Sequence, residues 1–230
     1  MRRVGVHGAG FIPIVGMDVS PSSAAAPVGD WWDPNIEGLC VWAAYQPKGA
    51  ANLAASYVDL SGNGNNTGPG VAPTWDAVNG WTFNGAAQYL TTAFIPQTDQ
   101  SQSALVQYTN AVTVNGYLFG SSGGASRLYG IQPIYLGASV RYVNGQGSAT
   151  GPTHPAGNLA VTNLGYRDGV ADTVPFGAWA GAGIAVYIGG RNVAGALNGP
   201  LQCKIQALVL YDCILTAPQV AAVAAAMAAL

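Results

Sequence analysis

The stretch Asp59-Leu60-Ser61-Gly62-Asn63-Gly64-Asn65 is followed by Gly80-Trp81-Thr82-Phe83-Asn84-Gly85 and then by Gln88-Tyr89-Leu90. Asp, Ser, Asn and Gly close their own backbone hydrogen bonds or accept positive φ, so the first stretch is a tight loop. In the second, Trp81 and Phe83 alternate with Thr82 and Asn84, the period of two that marks a strand with one buried face. A loop followed by a half-buried strand points to an all-β scaffold. None of these residues forms a catalytic constellation, so the ligand is left open.

Working outward, Leu39 to Gln46 reads as a strand. Short β-rich segments recur between turn clusters at Ala104–Tyr108, Val112–Phe119, Ile131–Leu136, Ser139–Val143, Leu159–Leu164 and Ile184–Ile188. That spacing predicts a two-sheet antiparallel sandwich or jelly roll. Ile205 to Tyr211 is nearly all apolar, which suits a strand covered on both sides. Only the end reads as helix: Thr216 as N-cap, Pro218 in the first turn, and Val220, Val223, Met227 and Leu230 along one side. Residues 1–37 show no sustained period and read as an extended arm ahead of a single domain over 38–230. Met1-Arg2-Arg3 and Ala24-Ala25-Ala26 have the outline of a signal peptide, but His7 and Pro13 interrupt its apolar centre.

The chain has 230 residues, enough for one full core. Only 8% of them are charged, against roughly 25% in an ordinary domain. Eight Lys and Arg face ten Asp and Glu, so there is no basic stripe for phosphates or an anionic membrane. Nucleic acid and membrane insertion are therefore excluded as expectations. A near-neutral surface does little to keep copies apart, which favours self-association. Cys40, Cys203 and Cys213 have no metal spacing. Along one strand Cys203 and Cys213 would lie about 33 Å apart, too far to bridge. Cys40 could meet one of them if the first and last strands are neighbours, but three buried free thiols is the expected state.

Gly38-Leu39 through Tyr45, the DLSGNGN run at 59–65 and GWTFNGAAQYL at 80–90 come in an order that resembles the laminin-G-like members of the concanavalin A-like lectin/glucanase superfamily. Tyr166-Arg167-Asp168-Gly169-Val170 looks like the hairpin of that family and Tyr187-Ile188-Gly189-Gly190 like a strand end. Leu197-Asn198-Gly199-Pro200 leads into Ile205–Tyr211, and Leu215–Val220 looks like the closing strand's helix start. Two positions depart from the pattern, where Gln206 and Gln219 replace acids. The resemblance implies a jelly-roll fold over about 38–230. The Ala/Gly-rich, charge-poor version also resembles virion-associated proteins of bacteriophages.

Retaining glycanases need two carboxylates about 5–5.5 Å apart. Glu37 is the only Glu, and the nearest acid pairs, Asp30/Asp33 and Asp168/Asp172, fall in an arm and a turn. His7 and His154 are the only histidines and no G-x-S-x-G elbow occurs, so a Ser-His-Asp set is not supported either. Asp59, with Asn63, admits two readings: a carboxylate closing its own turn, or a calcium ligand, the only cofactor considered. The turn is favoured, because calcium asks for several acids and only Asp76 is near in sequence. Asp168 fits an Asp-Gly hairpin turn. Sugar binding on a neutral site would use aromatic faces and amides, for which Trp179, Tyr129, Tyr142, Asn144, Asn163 and Asn192 are the candidates. Phe11, Ile12, Trp31 and Trp32 are the candidate assembly residues of the arm. The resulting expectation is a noncatalytic assembly or adhesion protein on a phage particle, bound through its arm to itself or to other virion proteins. The alternative is a lectin-like module that binds cell-surface glycans, secreted or extracellular.

Overall fold

The structure, a computed structural model, describes residues 30–34, 39–97, 99, 101–124, 127–173, 176 and 182–230. In chain order its strands are β1 (Val41–Tyr45), β2 (Gly68–Val71), β3 (Thr74–Asp76), β4 (Gly80–Asn84), β5 (Tyr89–Thr91) and β6 (Ser103–Thr109). There follow β7 (Phe119–Ser122), β8 (Leu128–Tyr135), β9 (Ser139–Asn144), β10 (Gln146–Thr150), β11 (Gly157–Val161) and β12 (Gly165–Arg167). The last strands are β13 (Val170–Ala171), β14 (Tyr187–Ile188), β15 (Arg191–Val193), β16 (Ala196–Asn198) and β17 (Gln202–Tyr211), and one helix, α1 (Ala217–Ala228), closes the chain. One sheet runs β13-β12-β11-β6-β17-β4-β3 with β1 also on β17. The other runs β10-β9-β8-β7-β14-β5-β2, with β15 beside β7 and β16 on β15. All pairings are antiparallel except β15 with β7. This is the two-sheet sandwich with a terminal helix that the alternation predicts.

The hub is β17, which pairs with β6, β4 and β1. A bulge between Ile205 and Ala207 lets the strand serve two cores. Ile205, Leu208 and Leu210 join Trp81, Phe83, Val106, Phe119 and Ile131 between the sheets. Ala207, Val209 and Tyr211 face the other way, onto Leu215, Val220, Val223 and Met227 of the helical layer. An apolar run without alternation is thus a strand with no wet face. The helix starts as its sequence predicts: Gln219 Oε1 accepts the Thr216 N–H at 2.8 Å, so the glutamine at this position does the capping task of an acid.

Two expectations are corrected. Cys40 and Cys213 form a disulfide, with Cα atoms 5.9 Å apart, because β1 pairs with β17 and brings their ends together. Only Cys203 is a free thiol, and burial pushes its pKa up. The segment 112–119 is not one strand: Val112 and Val114 are exposed and only Phe119 enters β7. Asn115 sits at φ 63°, and its carbonyl accepts the Gln132 amide at 2.7 Å, so this apolar run turns instead of extending.

The 59–65 loop closes on one carboxylate. Asp59 is 6% exposed, and its Oδ1 accepts the N–H of Ala44 at 2.9 Å, the N–H of Ser61 at 2.9 Å and the Ser61 hydroxyl at 2.7 Å. Its Oδ2 accepts the Asn65 N–H at 3.0 Å. Asn63 and Asn65 donate to the carbonyls of Val41 and Trp42. The bonds from Ser61 and Asn65 are those of a turn closing on Asp59, and those to Ala44, Val41 and Trp42 stitch the loop to β1.

Candidate functional site

Most of the sequence candidates for a sugar site turn out to be structural. Tyr142 and Tyr129 lie in β9 and β8 with no exposed surface. The Tyr142 hydroxyl donates to Asp172 Oδ2 at 2.9 Å, and burial raises its pKa, so it stays a neutral donor. Asn144, fully buried, accepts the Gln102 amide at 2.8 Å and donates to Thr162 O at 2.7 Å. Asn192, 5% exposed, donates to Ala185 O and accepts the Gly195 N–H at 2.8 Å each. A sugar site would need these side chains at the surface; in the folded chain all four are buried. Among the described candidates only Asn163 is exposed. Trp179, Phe11, Ile12, His7 and Glu37 lie outside the described residues.

Of the acid pairs, Asp168/Asp172 has ordinary side-chain partners, while Asp30 and Asp33 share a backbone turn. Asp172 is held by Arg167 at 2.9 Å, and the Asp33 N–H donates to Asp30 O at 2.7 Å, closing a turn. Asp168 occupies the left-handed region at φ 48° and Gly169 follows at φ 81°, the two-residue turn that joins β12 to β13. His154 Nε2 lies 3.4 Å from Asp168 Oδ1. Its pKa is lowered, chiefly by burial, with Asp168 pulling the other way. Among the described residues no group of three or more His, Cys, Asp or Glu comes together as a metal set.

Trp31 and Trp32 are placed differently from the expected arm. Trp31 is 7% exposed and packs in the helical layer, and the Tyr211 hydroxyl donates to Trp32 O at 2.8 Å. This part of residues 1–37 therefore docks on its own sandwich, because the apolar side of α1 and Tyr211 offers an indole-sized surface. The two indoles are perpendicular with centroids 5.4 Å apart. Together with Asp30, Gln46, Leu60 and Ala226 they line a groove of about 440 Å³. Trp32 is only partly buried and Leu60 is 40% exposed. The Trp31 Nε1–H is buried without an acceptor. An apolar wall with one carboxylate, one amide and an indole donor can take a ligand that is flat and apolar on one face and hydroxylated at its edge. Sequence reasoning singled out the tryptophans but missed Gln46, Leu60 and Ala226, for which the local sequence carries no signal.

A second groove, of about 430 Å³, lies on the β3-β4-β17 part of the sheet, lined by Thr82, Asn84, Gln88, Asn110 and Gln202 above Phe83. It is rich in hydrogen-bonding groups but presents no exposed aromatic face.

No family model and no curated protein matches this chain. Solved structures do. Domain 4 of AbnA, a GH43 extracellular arabinanase from Geobacillus stearothermophilus, in complex with arabinotriose, aligns at TM-score 0.52 and 14% identity over 81% of this chain and 98% of that domain. The sialidase of Trypanosoma rangeli, in complex with sialic acid, aligns at TM-score 0.54 and 21% identity over 79% of this chain. The same enzyme with a difluoro-nononic acid aligns at 0.52 and 20% over 89%. The chain spans about a third of the sialidase, 32% and 35% in the two alignments. The chain shares the β-sandwich fold of these proteins. At such identities the likeness is one of fold, and fold alone does not carry activity.

The Cys40–Cys213 bridge points to an oxidising compartment. Among the described residues no helix is long and apolar enough to cross a membrane.

Proposed function

We propose that the chain is a noncatalytic β-sandwich module that binds glycans, with its site in the Trp31/Trp32 groove. The observation that carries this reading is the perpendicular indole pair walling a groove whose polar groups are Asp30 and Gln46. Sugar rings present C–H faces to indoles and hydroxyl edges to amides and carboxylates. A single carboxylate in the groove suits binding, since most glycosidases use a pair of carboxyl groups across the bond they cut. Domain 4 of AbnA, which has this sandwich over nearly its whole length, was solved with arabinotriose, so arabino-oligosaccharides are the first ligands to try beside a broad glycan array.

The test is titration calorimetry on the full chain and on Trp32→Ala, with melting temperature recorded for both. Binding that Trp32→Ala abolishes without unfolding the protein is the expected result. An array with no hits, or binding unchanged in Trp32→Ala, overturns the assignment. The rival reading, a virion assembly or adhesion protein anchored through its first residues, is favoured by the 8% charged composition. It loses Trp31 as an intermolecular anchor, since that indole is buried within the chain; Trp32, Phe11 and Ile12 would have to do that work.

A further inference from the structure

Between α1 and the β12–β13 hairpin runs another groove of about 440 Å³, lined by Gln107, Asn158, Asp168, Val170, Ala221 and Ala225 among others. It shares no lining residue with the tryptophan groove. Gln107 on β6 and Asn158 on β11 stand opposite each other. Gln107 Oε1 and Asn158 Oδ1 are both buried with no hydrogen-bond partner, and Asn158 is 7% exposed. The orientation of the Asn158 amide is set by its Nδ2, which donates to Ala224 O at 3.2 Å, so the unpartnered atom is the oxygen. Asp168 adds a carboxylate that is 55% exposed at the rim; its Oδ1 accepts the Asn158 N–H at 2.8 Å and lies 3.4 Å from His154 Nε2, so Oδ2 is the oxygen left to accept.

Gln107 Oε1, Asn158 Oδ1 and Asp168 Oδ2 are all acceptors, and the two buried amide oxygens have no donor, which is costly. The charge has one sign as well. The last turn of α1 carries no basic residue, and a helix C-terminus bears partial negative charge. No Lys or Arg lines the groove; the nearby Arg167 is committed to Asp172 and to Pro152 O. The remaining walls are alanine methyls and Val170.

We propose that this groove is a second ligand site, for a small protonated amine on a short apolar body, such as an alkylammonium or an aminopyranose. An ammonium group brings three N–H donors and a positive charge, matching Gln107 Oε1, Asn158 Oδ1 and the Asp168 carboxylate, while its carbons pack on the alanine face of α1. The site does not depend on the glycan reading, and its failure would leave the tryptophan groove untouched.

The experiment is an amide-shift titration of the ¹⁵N-labelled full chain with propylammonium chloride, against potassium chloride and n-propanol. Saturable shifts at Asn158, Gly169 and Ala225 with propylammonium alone are expected. Asp168→Asn keeps a residue that tolerates the φ of 48° and should weaken binding about tenfold, while Gln107→Glu should tighten it by about as much. Ala225→Phe, an exposed helix position, should block the groove without unfolding the chain. No saturable shifts, an equal response to potassium or to propanol, or full affinity in Asp168→Asn each overturn the proposal.

Discussion

Replacing Asp59 with alanine tests both the turn that organises the fold and the rival idea that this carboxylate holds calcium. Four hydrogen bonds end on it, from the N–H groups of Ala44, Ser61 and Asn65 and from the Ser61 hydroxyl. Ala44 has no exposed surface, so its N–H has nowhere else to go, and leaving it unpaired costs about 1–3 kcal/mol. The Ser61 and Asn65 bonds are part-exposed, and water can replace the acceptor at a cost of about 0.5–1.5 kcal/mol each. The sum is about 5 kcal/mol, and at roughly 2–4 °C per kcal/mol for a domain of this size the melting temperature should fall by about 10–20 °C. Asp59→Asn keeps one oxygen for Ala44 but turns an amide donor toward the Asn65 N–H, so it should fall between the two. The assay is calorimetric melting of the three proteins in EDTA and in excess calcium. The reasoning fails if Asp59→Ala melts within about 2 °C of the parent, or if calcium raises the parent's melting temperature and Asp59→Ala removes that rise.

Reduction of the Cys40–Cys213 bridge, or Cys40→Ser, should destabilise the domain by up to about 5 kcal/mol, since the bridge spans 173 residues; denaturant midpoints with and without reductant measure it. The lowered His154 pKa means the folded chain resists a proton that the unfolded chain accepts near 6.5. Stability should therefore be level above that pH and decline as pH drops below it, and His154→Gln should flatten the decline in a series of melts against pH. Trp31→Ala should cost about 3–5 kcal/mol as a buried indole, whereas Trp32→Ala should cost far less and act on glycan binding; a melt and a titration on each variant separate the two roles. Removing residues 1–29 should leave the melting temperature and glycan binding unchanged if the module acts alone, and sedimentation of both forms would reveal a change of assembly state if those residues join copies.

Alternation and turn chemistry are written residue by residue, which is why the all-β sandwich, the two-faced burial of β17, the Asp168-Gly169 hairpin and the capped terminal helix were legible in the chain alone. Each depends on contacts between neighbours in sequence or on one side chain's preference for burial. What pairs across the fold depends on topology, and topology is a property of the whole chain. The Cys40–Cys213 bridge exists because β1 lies beside β17, a neighbour set by how the core closes. Tyr142, Asn144 and Asn192 are polar or amphipathic residues that local sequence cannot place, yet their amides and hydroxyl are spent on partners within the fold that lie up to 42 residues away. The candidate groove is the furthest case: Trp31, Gln46 and Ala226 meet only because the segment before the sandwich folds back over its last helix. Local sequence determines which surfaces are apolar, but only the closed structure decides which of them cover one another and which are left for a ligand.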